Sequence, residues 1–210
     1  MEKDTNSFRQ DLENVSLERL QDDLKNDEYK KAFWINIYNA YYQIIRKEMN
    51  IGKPDIYRKK LFKIAGNQFS LDDVEHGILR RNKYKYSLGF FTNLLTSKFL
   101  KENMVEVLDY RIHFALNCGA ASCPPIAFYR SESINEELDM ATQSFLEGET
   151  IFDDDKKVVK TTALFKWFYA DFGGTKGIKK IYADQLNKDI SNYKIKFTEY
   201  SWEDDLGNFV

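Results

Sequence analysis

The stretch Ala32 to Ile45, AFWINIYNAYYQII, carries no charged residue. Its apolar residues Trp34, Ile37, Tyr38, Tyr41, Ile44 and Ile45 recur at a helical period and predict one helix from about Asp27 to Lys47. So little of that helix is marked as solvent-facing that the rest of the chain must pack around it. The run is also too short and too polar to cross a bilayer. Asn36, Asn39 and Gln43 lie inside it, with Asn36 and Gln43 on nearly the same side and opposite Trp34 and Tyr41. A buried amide without partners costs about 1–3 kcal/mol. These amides therefore either tie down neighbouring loops or orient a catalytic side chain or a substrate.

The remaining pattern predicts a helix-rich α+β domain with a small, mostly antiparallel sheet. Residues 6–26 read as one or two polar helices, giving an N-terminal helical extension at 1–26 and a single globular domain at 27–210. LFKIAGNQFSL reads as a hairpin turning at Gly66–Asn67. Ser70 caps a helix through about Arg80, and residues 92–107 read as helical. RIHFAL reads as a buried strand, with His113 and Ala115 on the side opposite Phe114 and Leu116. Ser133 and Glu136 have capping-box spacing for a helix to about Leu146. IFDDDKKVVK reads as a second hairpin, TTALFKWFYADF as a helix stopped by Gly173–Gly174, TKGIKKIYADQL as another helix and YKIKFTEYSW as a late strand. The βαβ alternation of a parallel sheet is missing.

Hydrophobic residues make up 43% of the 210, enough for a sizeable core. The 31 basic and 33 acidic residues nearly cancel, which gives no reason to expect nucleic acid or an anionic membrane as partner. No run predicts membrane insertion. The N-terminus, MEKDTNSFRQDLEN, has no apolar leader core and reads as cytoplasmic as written. A chain whose leader had been removed would look the same, so export to a periplasmic or extracellular location is the alternative.

Chemistry-bearing residues concentrate in two places. In SLDDVEHGILR, Leu71, Val74 and Ile78 form a core stripe, Glu75 falls within its span and His76 sits on its flank. A carboxylate there is costly unless paired, which suggests a buried salt bridge to Arg80 or Arg111, or an acid beside a working histidine. YRIHFALNCGAASCPPIAFY holds His113 and both cysteines, Cys118 and Cys123. Cys118 precedes Gly119 and a run of small residues, which suits a nucleophile that a substrate must approach. The alternatives are an inert buried cysteine, a Cys118–Cys123 disulfide in an oxidising compartment, and a zinc site. The spacing matches no standard zinc clamp, so no metal and no other cofactor is expected.

KAFWINIYNAYY, FSLDDVEHGILR, RIHFALNCGAASCPPI and LFKWFYADFGG, in this order, resemble the family named domain of unknown function 547, over about residues 28–175. The resemblance maps the family's first motif onto Trp34, Asn36 and Asn39, its Glu-His pair onto Glu75 and His76, and its Cys-Gly pair onto Cys118 and Gly119. Positions matching His113 and Cys123 vary more, which moves the expected base to His76 and the nucleophile to Cys118. Bacterial members are often predicted to be exported, and plant members carry the domain behind a leucine-zipper region. Histidine before cysteine is also the order of circularly permuted papain-like folds, a fold-level analogy.

Two functions follow as expectations. The first is a cysteine-dependent hydrolase or acyltransferase acting on an unidentified small-molecule or peptide substrate. In it His76 deprotonates Cys118, Glu75, Asn36 or Asn39 holds the imidazole, and the Gly119 N–H lines an oxyanion hole. His113, Cys123, Arg111 and Trp34 are supporting residues. The second is a non-catalytic module in which the same polar groups form a buried network and a protein partner docks on LFKWFYADF.

Overall fold

The structure is a computed structural model describing residues 5–210. Helix α3 spans Asp27–Lys47, as the uncharged run predicts. The Asn26 side chain caps it by accepting from the Tyr29 N–H. Asp27 and Glu28 in its first turn and Arg46 and Lys47 in its last complement the helix dipole. Trp34, Ile35, Tyr38, Tyr42 and Ile45 are buried on successive faces, so other elements surround it.

Helices α1 (Asn6–Asn14) and α2 (Leu17–Asp23) precede it. Residues 1–4 of the expected extension lie outside the described residues. Leu20 and Leu24 are buried in the same core as α3, and the Leu12 and Glu13 carbonyls accept from the Ala65 and Gly66 N–H groups. After the short α4 (Asp55–Arg58), β1 (Phe62–Ile64) and β2 (Asn67–Phe69) form the first hairpin. Its turn is Ala65–Gly66, both at positive φ, one residue earlier than expected. Tyr41 stacks on Phe62 with ring centroids 4.1 Å apart, fixing the hairpin against α3.

Ser70 opens the next helix as predicted. Its hydroxyl accepts from the Asp73 N–H, and the Asp73 carboxylate accepts from the Ser70 N–H. The helix then widens into a π-helix over Asp73–Leu79, where the Arg80 N–H donates to the Glu75 carbonyl and the Asn82 N–H to the Gly77 carbonyl.

Several expectations are corrected. RIHFAL is not a strand: Tyr110–Phe114 is a 3₁₀ helix capped by Asp109, which accepts from the Arg111 N–H. Its apolar residues are buried in both directions, which a strand pattern cannot distinguish from a tight helix. Residues 92–107 contain only one short helix, α5 (Lys98–Asn103). The Ser133 hydroxyl bonds the Glu137 side chain and makes no capping bond to the backbone at the start of α6 (Ile134–Glu149). The predicted helix at TTALFKWFYADF is reduced to α7 (Leu164–Trp167), and α8 (Gly174–Leu186) follows.

The second hairpin forms as expected from β3 (Ile151–Asp153) and β4 (Val158–Thr161). The late strand β5 (Lys194–Phe197) joins β4 in parallel. The strands thus make two small sheets, and residues 112–116 belong to neither. One hydrophobic cluster surrounds α3, and a second lies around Phe165, Phe172 and Tyr182. The 3₁₀ helix and α6 join them: Ile112 and Leu138 enter the first cluster, Phe114, Phe145 and Leu146 the second. The result is one helix-rich α+β domain.

Candidate functional site

A cleft with a cavity of about 260 Å³ lies between the two clusters. The π-helix contributes Glu75 and His76 to it, and its N-cap residue Asp72 joins them, while Val74, Ile78 and Leu79 stay in the core. A π turn carries more residues than an α turn, which changes the faces that a regular helical wheel assigns. The 3₁₀ segment and the loop after it add His113, Leu116, Cys118, Cys123 and Pro124. Tyr38, Tyr57, Tyr86, Trp167, Tyr200 and Trp202 supply aromatic surface. Trp167 and Trp202 stack with centroids 5.5 Å apart, and Tyr200 packs against both at 4.7 Å.

Cys118 and Cys123 are joined in a disulfide. The expected nucleophile–base pair of Cys118 with His76 is therefore not formed. The Cys118 N–H donates to Cys123 Sγ at 2.8 Å, and the Tyr200 hydroxyl lies 3.0 Å from both sulfurs. With the sulfurs bonded to each other, Tyr200 is the one that can donate. Burial pushes its phenol well above the ordinary range, so it keeps that proton. Cys118 is half-buried and Cys123 buried. Gly119 cannot supply an oxyanion hole, because its N–H already donates to Asn117 Oδ1 at 2.7 Å.

His76 is also committed. Its Nδ1 faces Arg80 Nη1 at 2.8 Å, and since guanidinium only donates, that nitrogen is the acceptor and the neutral ring carries its proton on Nε2. Burial and the Arg80 charge push its pKa down to about 3. An imidazole whose lone pair is already bonded is not a free base. Arg80 does not bond Glu75 as the sequence suggested. It donates to Asp171 Oδ2 at 2.6 Å and lies over the Phe168 ring. His113 Nε2 lies 3.0 Å from the same Asp171 oxygen, and its ring stacks on Phe168. Burial pushes His113 below its ordinary value despite that bond. Glu75 accepts from the Tyr38 hydroxyl at 3.3 Å. Burial raises the Glu75 carboxyl, against the pull of Arg80 and His113.

The other expected site residues lie outside the cleft lining. Asn36 exchanges hydrogen bonds with the Tyr129 backbone. Asn39 donates to the Ala115 carbonyl and accepts from the Asn117 N–H, fixing the backbone just before Cys118. Both amides tie down loops, the plainer of their two readings. Trp34 is core, packed on Phe33 and Phe69. Arg111 pairs with Asp109 and Asp139 in a separate ion-pair cluster that includes Lys31. Among the described residues, no group of three or more histidine, cysteine or carboxylate side chains is arranged to hold a metal ion.

Sequence reasoning missed Tyr200, Trp202 and the true partners of Arg80; Trp167 and Asp171 fall in LFKWFYADF, which it offered as a docking stretch and not as part of this cleft. Tyr200 and Trp202 arrive on a C-terminal segment that runs beside the disulfide loop: the Ala121 N–H donates to the Glu203 carbonyl and the Asp205 N–H to the Gly119 carbonyl. Only the aromatic richness of EYSW hinted at it.

The site is thus a disulfide facing an aromatic cleft, backed by a buried charged network. Residues 22–146, more than half of the chain, match the family described as "Protein of unknown function, DUF547", and the chain belongs to that family. The match takes in Glu75, His76, His113 and both cysteines, whereas Trp167, Asp171, Tyr200 and Trp202 lie beyond it. No curated protein and no solved structure matches the chain.

Proposed function

We propose that the cleft is a thiol–disulfide exchange site, with Cys118 as the sulfur attacked and Cys123 as the leaving sulfur. The observation that carries this reading is the asymmetry of the pair: Cys118 is the more accessible, and Cys123 Sγ receives the Cys118 N–H, with the Tyr200 hydroxyl 3.0 Å from both sulfurs. A leaving thiolate stabilised by donors departs faster.

A substrate thiolate attacks Cys118 Sγ, and the S–S bonding pair leaves on Cys123. A second substrate thiolate attacks the substrate sulfur of the mixed disulfide, releasing Cys118. The substrate dithiol loses two electrons and two protons, and Cys118 and Cys123 gain them. Glu75 lines the same cleft and keeps its proton to higher pH than an ordinary carboxyl, which supports it as the group that exchanges protons. A formed disulfide also suits the exported alternative better than a reducing cytosol.

The hydrolase or acyltransferase alternative, with its permuted papain-like analogy, needs a free thiol, a free base and an open oxyanion donor. Cys118, His76 and the Gly119 N–H are each otherwise engaged.

The test is equilibration of the folded protein with glutathione buffers, followed by mass analysis of Cys118→Ser and Cys123→Ser. Reversible reduction, and a mixed disulfide trapped on Cys118 in Cys123→Ser, are expected. A disulfide that yields only when the protein is unfolded, or trapping at Cys123 alone, overturns the reading and leaves the buried-network module as the better account.

A further inference from the structure

We propose that residues 81–101 form a docking surface for a bilayer containing anionic lipid. This stretch holds Arg81, Lys83, Lys85, Lys98 and Lys101 and no acidic residue, although the whole chain carries a net charge of −2. Whole-chain balance, which argued against a membrane partner, conceals this local excess.

Phe90 is 58% exposed, Phe91 71%, Leu94 91% and Leu95 89%. Isolated exposed apolar residues are ordinary on soluble proteins, but four large ones within six positions are not. The loop is held in this shape. The Tyr84 N–H donates to the Phe91 carbonyl, the Asn93 N–H to the Asn82 carbonyl and the Ala170 N–H to the Leu88 carbonyl. Asn82 also bonds the Asn93 carbonyl and the Thr96 hydroxyl through its side chain. Tyr84 and Tyr86, both exposed and in edge contact, add phenols of the kind that settle at a membrane interface.

Charge selects the occupant. Lys85 is paired with Asp72 and Lys98 with Glu102, but among the described residues no ion pair involves Arg81, Lys83 or Lys101. Exposed apolar side chains accompanied by uncompensated cations complement an apolar boundary covered by anionic headgroups. The surface adjoins the cleft, since Lys85 and Tyr86 line it. Docking here would set the cleft beside the bilayer.

The experiment is flotation of the full chain with vesicles of phosphatidylcholine alone and with about one-third phosphatidylglycerol. Binding to the anionic vesicles, weakened as salt rises from about 0.1 M to about 0.5 M, is expected. Leu94→Ser with Leu95→Ser should cut binding about tenfold or more with an unchanged thermal midpoint. Lys83→Gln with Lys101→Gln should cut it on anionic vesicles and flatten the salt dependence. Three results overturn the proposal: no binding to anionic vesicles, binding indifferent to both variants, or a concentration-dependent dimer that Leu94→Ser with Leu95→Ser abolishes while vesicles are ignored. The last would make the surface a protein interface.

Discussion

Arg80 Nε donates to Asp171 Oδ2 across 2.6 Å, and neither side chain reaches solvent. The pair joins the π-helix to the turn after α7, so it ties together the elements on either side of the cleft. His76 and His113 each bond one member of it.

Removing one partner should therefore be severe. Asp171→Asn leaves a buried guanidinium without its countercharge and is expected to lower the unfolding free energy by about 3–5 kcal/mol in urea titrations. Arg80→Met combined with Asp171→Leu should lose less than the sum of the two single changes, since no unpaired charge remains. An Asp171→Asn protein as stable as wild type would show that the pair contributes little to the fold.

Acid should destabilise the protein through its histidines. Both are held neutral by burial, His76 down to about 3 and His113 below its ordinary value. Below about pH 6.5 the unfolded chain binds protons that the folded chain refuses. The stability tied to the neutral rings is fully present above the unfolded pKa and is lost as pH falls below it, by on the order of 1 kcal/mol per pH unit for His76. Glu75 acts with the opposite sign. Its raised folded pKa gives stability that is present below the unfolded value near 4.5 and lost as pH rises through the folded one. Denaturation between pH 7.5 and 5 should therefore show a shallower acid loss for His76→Gln and a steeper one for Glu75→Gln. Identical slopes in all three proteins would contradict the assignment.

Gly119 sits at φ +65, and a Cβ there would lie 2.3 Å from the Tyr42 ring, which is fully buried and cannot move aside. Gly119→Ala combines left-handed strain with a clash and should cost about 2–4 kcal/mol. The thermal midpoint reads it directly. A midpoint within a degree or two of wild type would mean the loop takes another path.

The parts of this architecture that were legible in sequence are those whose signals are local. The uncharged run marked α3, Ser70 marked a cap and the acidic cluster at 153–155 marked the end of β3 and the turn of the second hairpin. Glu75, His76, His113, Cys118 and Cys123 were singled out and do meet in one cleft. Their chemistry was not legible, because it depends on partners far along the chain. His76 is committed by Arg80, one helical turn on, but Arg80 is held in place by Asp171, 91 residues away. The 3₁₀ segment read as a strand because burial on both sides erases the alternation that distinguishes the two. Asn39 drew attention as a buried amide. Whether it served a loop or a substrate was decided by the Ala115 and Asn117 backbone, which no spacing rule places beside it.

Tyr200 offers the sharpest test of the exchange chemistry. Its hydroxyl reaches both sulfurs at 3.0 Å, and its ring packs against both Trp167 and Trp202. Tyr200→Phe keeps the ring and removes only the donor, so thermal stability should change little. When the disulfide is reduced, Cys123 holds a thiol or thiolate within reach of that hydroxyl. A hydrogen bond to a charged group is worth about 1.5–3 kcal/mol, so losing it penalises the reduced state about tenfold or more. In glutathione buffers the Tyr200→Phe protein should remain oxidised at ratios where wild type is largely reduced, and its reduction by a dithiol should slow. The sign matters most. If the variant is reduced as readily as wild type, or more readily, the hydroxyl merely packs against the sulfurs and the donor role assigned to it is wrong.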